Sequence, residues 1–508
     1  MQPYGLSQLP NYQTELTTRE LCRAVHLDPE FRQEVLEEYV EDGIHAVGLP
    51  FGVNLVALVR HAAAAEEREH QHEQALGWLL LGFVLLVLLL LASLSPGSAL
   101  PSTLLLLLVL ACLPAAGFMV YRAQLVARKL AVELHTGSKS PEDSAPALDA
   151  GLEQRLKDLR RANIVVHHSS RGLKHPFVGS GWKITESVWD PVDIGRPAKD
   201  TKDRPLTPVP FTAADLHQYL AVNMPKATGL GALVARNRLY VRGVHVEQLG
   251  TSVLPDPEQR PLTQIPSALV KAGAGQLGGA MATYLCLRMV SGGGQTVVTM
   301  HIRAQVLAPR LAWEVNAYVL PPLGSRFDFP QSLVGSDTVV RWRTARDSAG
   351  SVRPALFGLV GRQYRRRAGS RSRARQLERV RAELRKGHVT YDYGAADSLR
   401  ERVSDWKRMG FDEKMNSQLF FKLMIQGVLD CTEQFLTSHN IDTSDLRSQQ
   451  QQIINTQTYT FNGTIQALQA GDNGLMNVQY GGSPGQGPQG GPGGANPAGA
   501  AAQGQAAP

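Results

Sequence analysis

Few residues in this chain of 508 residues have the types and spacing that chemistry requires. Gly273, Gly275 and Gly278 fit the GxGxxG spacing of dinucleotide-binding loops, which need a strand before the glycines and a helix after them. Here the segment IPSALVKA precedes the glycines and the strand-like segment ATYLCLRMV follows them. The glycines therefore predict a turn, not a nucleotide site.

Histidines and cysteines are also poorly spaced for metal binding. His70 and His72 are two residues apart on a predicted helix and do not face each other, while the adjacent His167 and His168 would point to opposite faces of a strand. The cysteines, which form no CxxC pair, are Cys22, Cys112, Cys286 and Cys431. We expect no metal, no cofactor and no disulfide framework. No catalytic residue can be named, so an enzyme is not the expected class.

The strongest chemical signal is an arginine tract. Between Arg353 and Lys386 lie eleven arginines and one lysine against two acids. Such a tract suits anionic lipid headgroups or the phosphates of nucleic acid, but Tyr364 is its one aromatic residue, so nucleic acid is disfavoured. The alternatives to lipid are a solvated face or an acidic partner within the chain, because the first 76 residues carry a net charge of −8. The residues expected to contact an anionic surface are Arg362, Arg365, Arg366, Arg367, Arg371, Arg373, Arg375 and Arg379.

Two uncharged apolar runs, Ala75 to Leu94 and Leu104 to Val120, determine where the rest of the chain is placed relative to a membrane. Each approaches the ~20 apolar residues that cross a bilayer as a helix, which predicts a two-helix transmembrane hairpin. No polar ionisable group interrupts the runs, so anchoring is favoured over transport. The flanking cations are Arg60, Arg68, Arg122, Arg128 and Lys129, which predict a multi-pass protein of the cytoplasmic (inner) membrane with both termini in the cytoplasm.

The remaining patterns predict local elements. Thr17 with Glu20 resembles a capping box, and Asp28 before Pro29 is typical of a second helix start. Strands are predicted over residues 164–168, 239–246, 284–290, 295–306 and 311–319, with a helix over 211–222. The pair Asn462-Gly463 predicts a β-hairpin.

We therefore expect a membrane-anchored multidomain protein whose cytoplasmic part is an α+β domain with mainly antiparallel strands. In chain order the predicted parts are an acidic helical N-terminal module (1–74), the transmembrane helical hairpin (75–121), a juxtamembrane helix and linker (122–150), the cytoplasmic α+β domain (151–348), an Arg-rich segment (349–410), a C-terminal helix and short β-hairpin (411–480), and a disordered Gly/Pro/Gln tail (481–508).

The C-terminal helix, predicted over 411–436, has an apolar stripe that must be buried. It either docks on the central domain or mediates self-association, which would make the protein a homo-oligomer or the binder of a protein partner. The stripe comprises Leu419, Phe420, Leu423, Met424, Val428 and Phe435.

Two segments carry a resemblance to known proteins. ELCRAVHLDPEFRQEVLEEYV, followed by the hairpin of spans, resembles uncharacterised bacterial two-span membrane proteins, and the segment from FLTSHNIDTSDL to LQAGDNG is similar to Gly/Asn-rich tails of bacterial defence or signalling effectors. The leading hypothesis is a membrane-anchored interaction or scaffold protein without a catalytic site. The alternatives are a defence-type effector that senses a signal and oligomerises to disturb the bilayer, and an enzyme with an unrecognised site in residues 151–348.

Overall fold

The computed structural model describes residues 15–94, 102–137, 140–169, 175–276, 279–387, 390–456, 458–461 and 464–467. Its first helices are α1 (Leu16–Leu27), α2 (Pro29–Leu36), α3 (Leu55–Ser93), α4 (Ser102–Thr136) and α5 (Ala150–Arg160). Asp28 begins α2 as predicted, because its side chain accepts hydrogen bonds from the backbone nitrogens of Glu30 (3.1 Å) and Phe31 (3.2 Å), with Pro29 at the first helical position.

The predicted capping box at Thr17 is wrong. Glu15 precedes α1 in a left-handed conformation and caps nothing, while Thr17 and Thr18 are buried inside the helix. The hydroxyl of the neighbouring Thr18 accepts a hydrogen bond from the backbone nitrogen of Asn54 (3.0 Å). It therefore binds the segment before α3 and does not cap α1.

A six-stranded sheet forms the centre of the protein. Its strands are β1 (Ile164–His167), β2 (Trp182–Asp193), β3 (Val234–Arg242), β4 (Met281–Ser291), β5 (Thr296–Leu307) and β6 (Arg310–Leu320), in the spatial order β1-β3-β4-β5-β6-β2. β1 pairs with β3 in parallel and the other pairs are antiparallel. The sheet is therefore mixed and mainly antiparallel, in an α+β arrangement.

The two faces of this sheet differ in chemistry. One face is apolar and is covered by α6 (Ala213–Ala227) and by α11 (Phe411–Ser438), which together bury residues such as Met300 and Val315. The other face carries aromatic and polar side chains, among them Tyr240 and His301, and is covered by Phe51 and Phe177. Strand periodicity produces this separation, because alternate residues point to opposite faces.

The other elements are α7 (Ser267–Ala274), α8 (Asp337–Phe357), α9 (Leu359–Lys386), α10 (Leu399–Arg402), α12 (Ser444–Thr456), β7 (Thr458–Phe461) and β8 (Thr464–Ala467). β7 and β8 pair with Phe461 opposite Thr464, which confirms the predicted hairpin, although the turn residues Asn462 and Gly463 lie outside the described residues, as does the predicted tail 481–508. Gly273 lies inside α7, Gly275 directly follows this helix, and β4 comes next, which is the reverse of a dinucleotide-binding motif.

The N-terminal helices share their core with later parts of the chain. Leu21, Phe31 and Leu58 pack in one apolar cluster with Phe327 and Leu399. The described part of the acidic N-terminal region is therefore packed against the segment after β6 and against α10.

Candidate functional site

An extensive surface of exposed apolar side chains lies on α3 and α4. Both helices are long and apolar enough to cross a membrane. Their apolar side chains face outward: Leu81 is 59% exposed, Leu88 58% and Leu107 64%. A contiguous apolar surface of this kind marks a region that contacts lipid or protein instead of water.

The apolar parts of the two helices join the rest of the protein at a small cluster. Leu76 of α3 and Ala116 and Val120 of α4 are buried together, and Val352 and Ala355 of α8 pack against them. α8 therefore reaches the point at which the predicted spans begin.

α8 lies along α4 and runs toward the spans. The guanidinium of Arg128 donates to Thr344 Oγ1 (3.1 Å) and to Asp347 Oδ2 (2.7 Å), and Ser348 Oγ donates to Gln124 Oε1 (3.0 Å). As residue numbers rise along α8, the partner numbers fall along α4, so the two helices are antiparallel. These polar contacts hold α8 on the part of α4 outside the apolar run.

The arginine tract forms the end of α8 and all of α9. Arg371, Arg375 and Arg379 are exposed, whereas Arg373 is half-buried and forms ion pairs with Glu37 and with Glu41, the latter at 3.4 Å. For Arg373, the structure thus shows the acidic partner within the chain. The side chains of four predicted residues lie outside the described set: Arg362, Arg365, Arg366 and Arg367.

The predicted stripe of the C-terminal helix divides between the core and the surface. Met424, Val428 and Phe435 are buried in the main core, where Phe435 contacts Phe211 edge to face at 5.0 Å between ring centroids. Phe420 is partly buried against the same core. Leu423 is half-buried and Leu419 is 51% exposed. The helix docks on the central sheet through most of this stripe.

Sequence reasoning missed a chain of hydrogen bonds around the first half of α3, before its apolar run. Arg68 donates to His26 Nδ1 (2.6 Å), His26 Nε2 lies 2.9 Å from His61 Nδ1, and His61 Nε2 lies 2.9 Å from the carbonyl oxygen of Pro141. Because the carbonyl can only accept, His61 is protonated on Nε2 and accepts on Nδ1, so His26 donates to it. This relay joins α1, α3 and the segment after α4.

Burial lowers the pKa of His26 well below its usual range and also lowers that of His61, and the charge of Arg68 acts in the same direction on both. The two histidines are therefore neutral at pH 7. The relay borders a cavity of about 450 Å³ between α3, the end of α4 and residues 144–148. No sequence signal could have revealed it, since its members are separated by up to 115 residues along the chain.

A second missed group lies on the polar face of the sheet. Ser180 Oγ is 2.8 Å from His301 Nε2, and the hydroxyl of Tyr240 is 3.1 Å from His301 Nδ1. A serine hydrolase would need a carboxylate in the place of Tyr240 to orient the histidine. His301 is fully buried and stacks on Phe177 at 4.2 Å, so this group holds the sheet and its covering loop together. Within the described residues no cluster of His, Cys, Asp or Glu could hold a metal ion.

The fold and these surfaces define a protein in which two candidate membrane helices are attached to a body built on a mixed sheet. By its sequence, the chain belongs to the AbeC-like domain family, whose model matches residues 181–472, more than half of the chain. The matched range begins just before β2 and excludes α3 and α4. No curated protein and no solved structure matches the chain.

Proposed function

We propose that this protein is a membrane-anchored interaction protein whose body is held at the cytoplasmic leaflet by the α3–α4 hairpin. One observation carries the proposal: α3 is a single helix of 39 residues. Its first turns, at Leu55 and Leu58, are buried in the core, while its last turns expose leucines such as Leu81, Leu85 and Leu88.

The dimensions of α3 fit this role. At about 1.5 Å per residue, the 19 residues from Ala75 to Ser93 span roughly 28 Å, close to the thickness of the hydrocarbon core of a bilayer. The preceding 20 residues extend roughly 30 Å in the opposite direction, which is enough to carry the helix from the membrane surface into the sheet domain.

The junction of α8 and α9, which are separated by Gly358 alone, supports a second attachment. Because Val352 and Ala355 pack at the base of the spans, the junction between α8 and α9 near Gly358 lies at the membrane surface in this arrangement. The arginines that follow the junction would then meet lipid headgroups, where each cation contributes about 1 kcal/mol with anionic lipid.

The anchor is tested by membrane fractionation and by cysteine labelling of the full-length protein. We expect the protein to remain with membranes after alkaline carbonate extraction. A cysteine at Ser98 should react with an impermeant thiol reagent in intact cells, and one at Ser140 should react only after permeabilisation. A protein released by carbonate, or labelled only at Ser140, would refute the anchor or its orientation.

The same helix favours a second candidate function, a membrane effector. Since α3 is continuous from the core into the apolar run, displacement of its N-terminal turns would move the apolar part. Purified protein in liposomes should then release an entrapped dye when its signal is present. A scaffold would leave the dye entrapped.

A further inference from the structure

Three arginines share one face of the central sheet, in a group called here the arginine corner, and the charges of two more, Arg160 and Arg161, act on it. Arg236 and Arg238 lie two residues apart on β3 and therefore share a face. Arg288 lies opposite Val234 in the β3–β4 register, which places it on that same face. The last two, Arg160 and Arg161, are at the C-terminal end of α5 and are exposed.

Phe51 brings two of these guanidinium groups together. The Cζ atom of Arg238 lies 5.3 Å from the centroid of the Phe51 ring, and that of Arg288 lies 5.0 Å from it. The two charges are therefore no more than about 10 Å apart, the sum of these two distances. The ring attracts both charges through its face and uses none of their N–H donors.

The charges of this corner are not balanced by acids. Within the described part of the chain, none of the five arginines forms an ion pair with a carboxylate. Arg238 donates to the carbonyl of Ala162 (3.1 Å) and to Cys286 Sγ (2.9 Å), and the buried Nε of Arg288 has no partner. Burial, followed by the charge of Arg238, lowers the pKa of Arg288 to about 10 and also lowers the pKa of Arg236.

An uncompensated cluster of buried and half-buried cations is unfavourable in the absence of an anion, because both desolvation and like-charge repulsion oppose it. Guanidinium groups bind both carboxylate and phosphate through paired N–H donors, and phosphate carries the larger negative charge. Arg238 is 2% exposed and held in place by its own hydrogen bonds, so it is already oriented before any ligand arrives.

The position of the corner excludes lipid headgroups as the source of that phosphate. Phe51 precedes α3, and α3 extends roughly 30 Å from Leu55 before its apolar run begins at Ala75. The headgroup region on one side of a bilayer is only about 7 Å thick. This step rests on the proposed membrane anchor; the arginine cluster itself does not.

We propose that Arg236, Arg238 and Arg288 form a binding site for a soluble phosphate-bearing anion carrying at least two phosphoryl groups, with Arg160 and Arg161 at its rim. Two phosphoryl groups are required because a single phosphate carries a charge of at most about −2, which does not balance five guanidinium groups. The ligand class is thus a pyrophosphate-containing compound such as a nucleoside diphosphate or triphosphate.

The test is calorimetric titration of full-length protein in nanodiscs with inorganic pyrophosphate and with ATP. The protein with both Arg236→Gln and Arg288→Gln should bind pyrophosphate at least about tenfold more weakly, as expected for the loss of two charge-assisted contacts. The matched control, Arg196→Gln with Arg204→Gln, removes the same charge from exposed positions in the segment after β2 and should bind as the wild type does. Absence of binding at millimolar pyrophosphate, or equal loss in the control, would overturn the proposal.

Two further measurements separate a binding role from a structural one. Arg160→Gln with Arg161→Gln changes only exposed side chains and should weaken binding by about threefold. Without ligand, Arg288→Gln should leave the thermal midpoint unchanged or raise it, because repulsion is relieved; a lower midpoint together with unchanged pyrophosphate affinity would assign Arg288 to the fold alone.

Changing the lipid distinguishes a soluble phosphate compound from a lipid headgroup as the ligand of the arginine corner. Pyrophosphate should bind equally well in nanodiscs of zwitterionic and of anionic lipid at the same salt concentration. Competition by anionic lipid would show that headgroups occupy the corner and would refute the soluble ligand. Failure of the membrane anchor, by contrast, would appear in fractionation and would leave the pyrophosphate titration unaffected.

Discussion

The relay of Arg68, His26 and His61 predicts that the protein loses stability in mild acid. His61 is 1% exposed and His26 8%, and every ring nitrogen in the relay already has a partner in the neutral state. A proton added to His26 Nδ1 would face the Arg68 donor, and one added to His61 Nδ1 would face the His26 donor. Arg32 and Arg68 add to the cost, because their charges also lower the pKa of His26.

The sign and size of the effect follow from linkage. Folding lowers both pKa values, so the unfolded chain binds more protons and the free energy of unfolding falls as the pH drops below the usual histidine value. At pH 5.5, one unit below the usual histidine pKa of about 6.5, each histidine that stays neutral in the fold costs about 1.4 kcal/mol. The pair therefore contributes up to about 3 kcal/mol of destabilisation at that pH.

The measurement is the free energy of unfolding of full-length protein in detergent at pH 7.5 and pH 5.5. Between pH 7.5 and pH 5.5, the free energy of unfolding of the double variant His26→Gln, His61→Gln should fall by up to about 3 kcal/mol less than that of the wild type. Other buried histidines, such as His217 and His301, contribute equally to both proteins, so the difference isolates the relay. His70→Gln, at an exposed position on α3, is the control and should follow the wild type. Identical pH dependence of the double variant and the wild type would refute the neutral relay.

Three further predictions concern packing, capping and the membrane surface. Val428→Asp should destabilise the protein by several kcal/mol in urea unfolding because it places a charge in the main core, whereas Leu419→Asp, on the exposed side of the same helix, should be tolerated. Asp28→Ala should lower the free energy of unfolding by about 1 kcal/mol, because α2 loses two accepted hydrogen bonds at its start; retention of full stability would contradict the capping role. Amides of residues 362–379 should exchange more slowly in nanodiscs of anionic than of zwitterionic lipid, and this difference should vanish at high salt; equal exchange would remove lipid as the partner of the tract.

Features encoded by neighbouring residues could be predicted from the sequence. Local composition predicts the two apolar runs, the start of α2 at Asp28, and the strands β1, β4, β5 and β6. The predicted bounds agree with the observed ones to within a few residues. β2 cannot be predicted from the sequence, because its segment WKITESVWDPVD contains charges and a proline. It is an edge strand whose register shifts between Trp189 and Val192, and such strands tolerate proline and polar residues.

Features that depend on distant residues could not be predicted. The strand predicted over 239–246 is instead β3 at Val234–Arg242, followed by a 3₁₀ segment from Gly243, and its parallel pairing with β1 has no sequence signature. The arginine corner needs Phe51 from the N-terminal region between side chains of β3 and β4. A cluster of charges that are dispersed in sequence becomes visible only when the strands are paired.

Phe51 of the arginine corner, His61 of the relay and the candidate span follow one another along the chain. Phe51 precedes α3, His61 lies two turns into it, and the apolar run occupies its last 19 residues. A helix transmits tilt but hardly stretches, because its length is fixed at about 1.5 Å per residue. Movement of Phe51 on anion binding would reach α3 through residues 52–54, which join Phe51 to Leu55 at the start of the helix. The effector function predicts that the tilt of α3 changes when the anion binds, and the interaction-protein function predicts that it does not. Distances between spin labels at the two ends of the helix would measure this tilt.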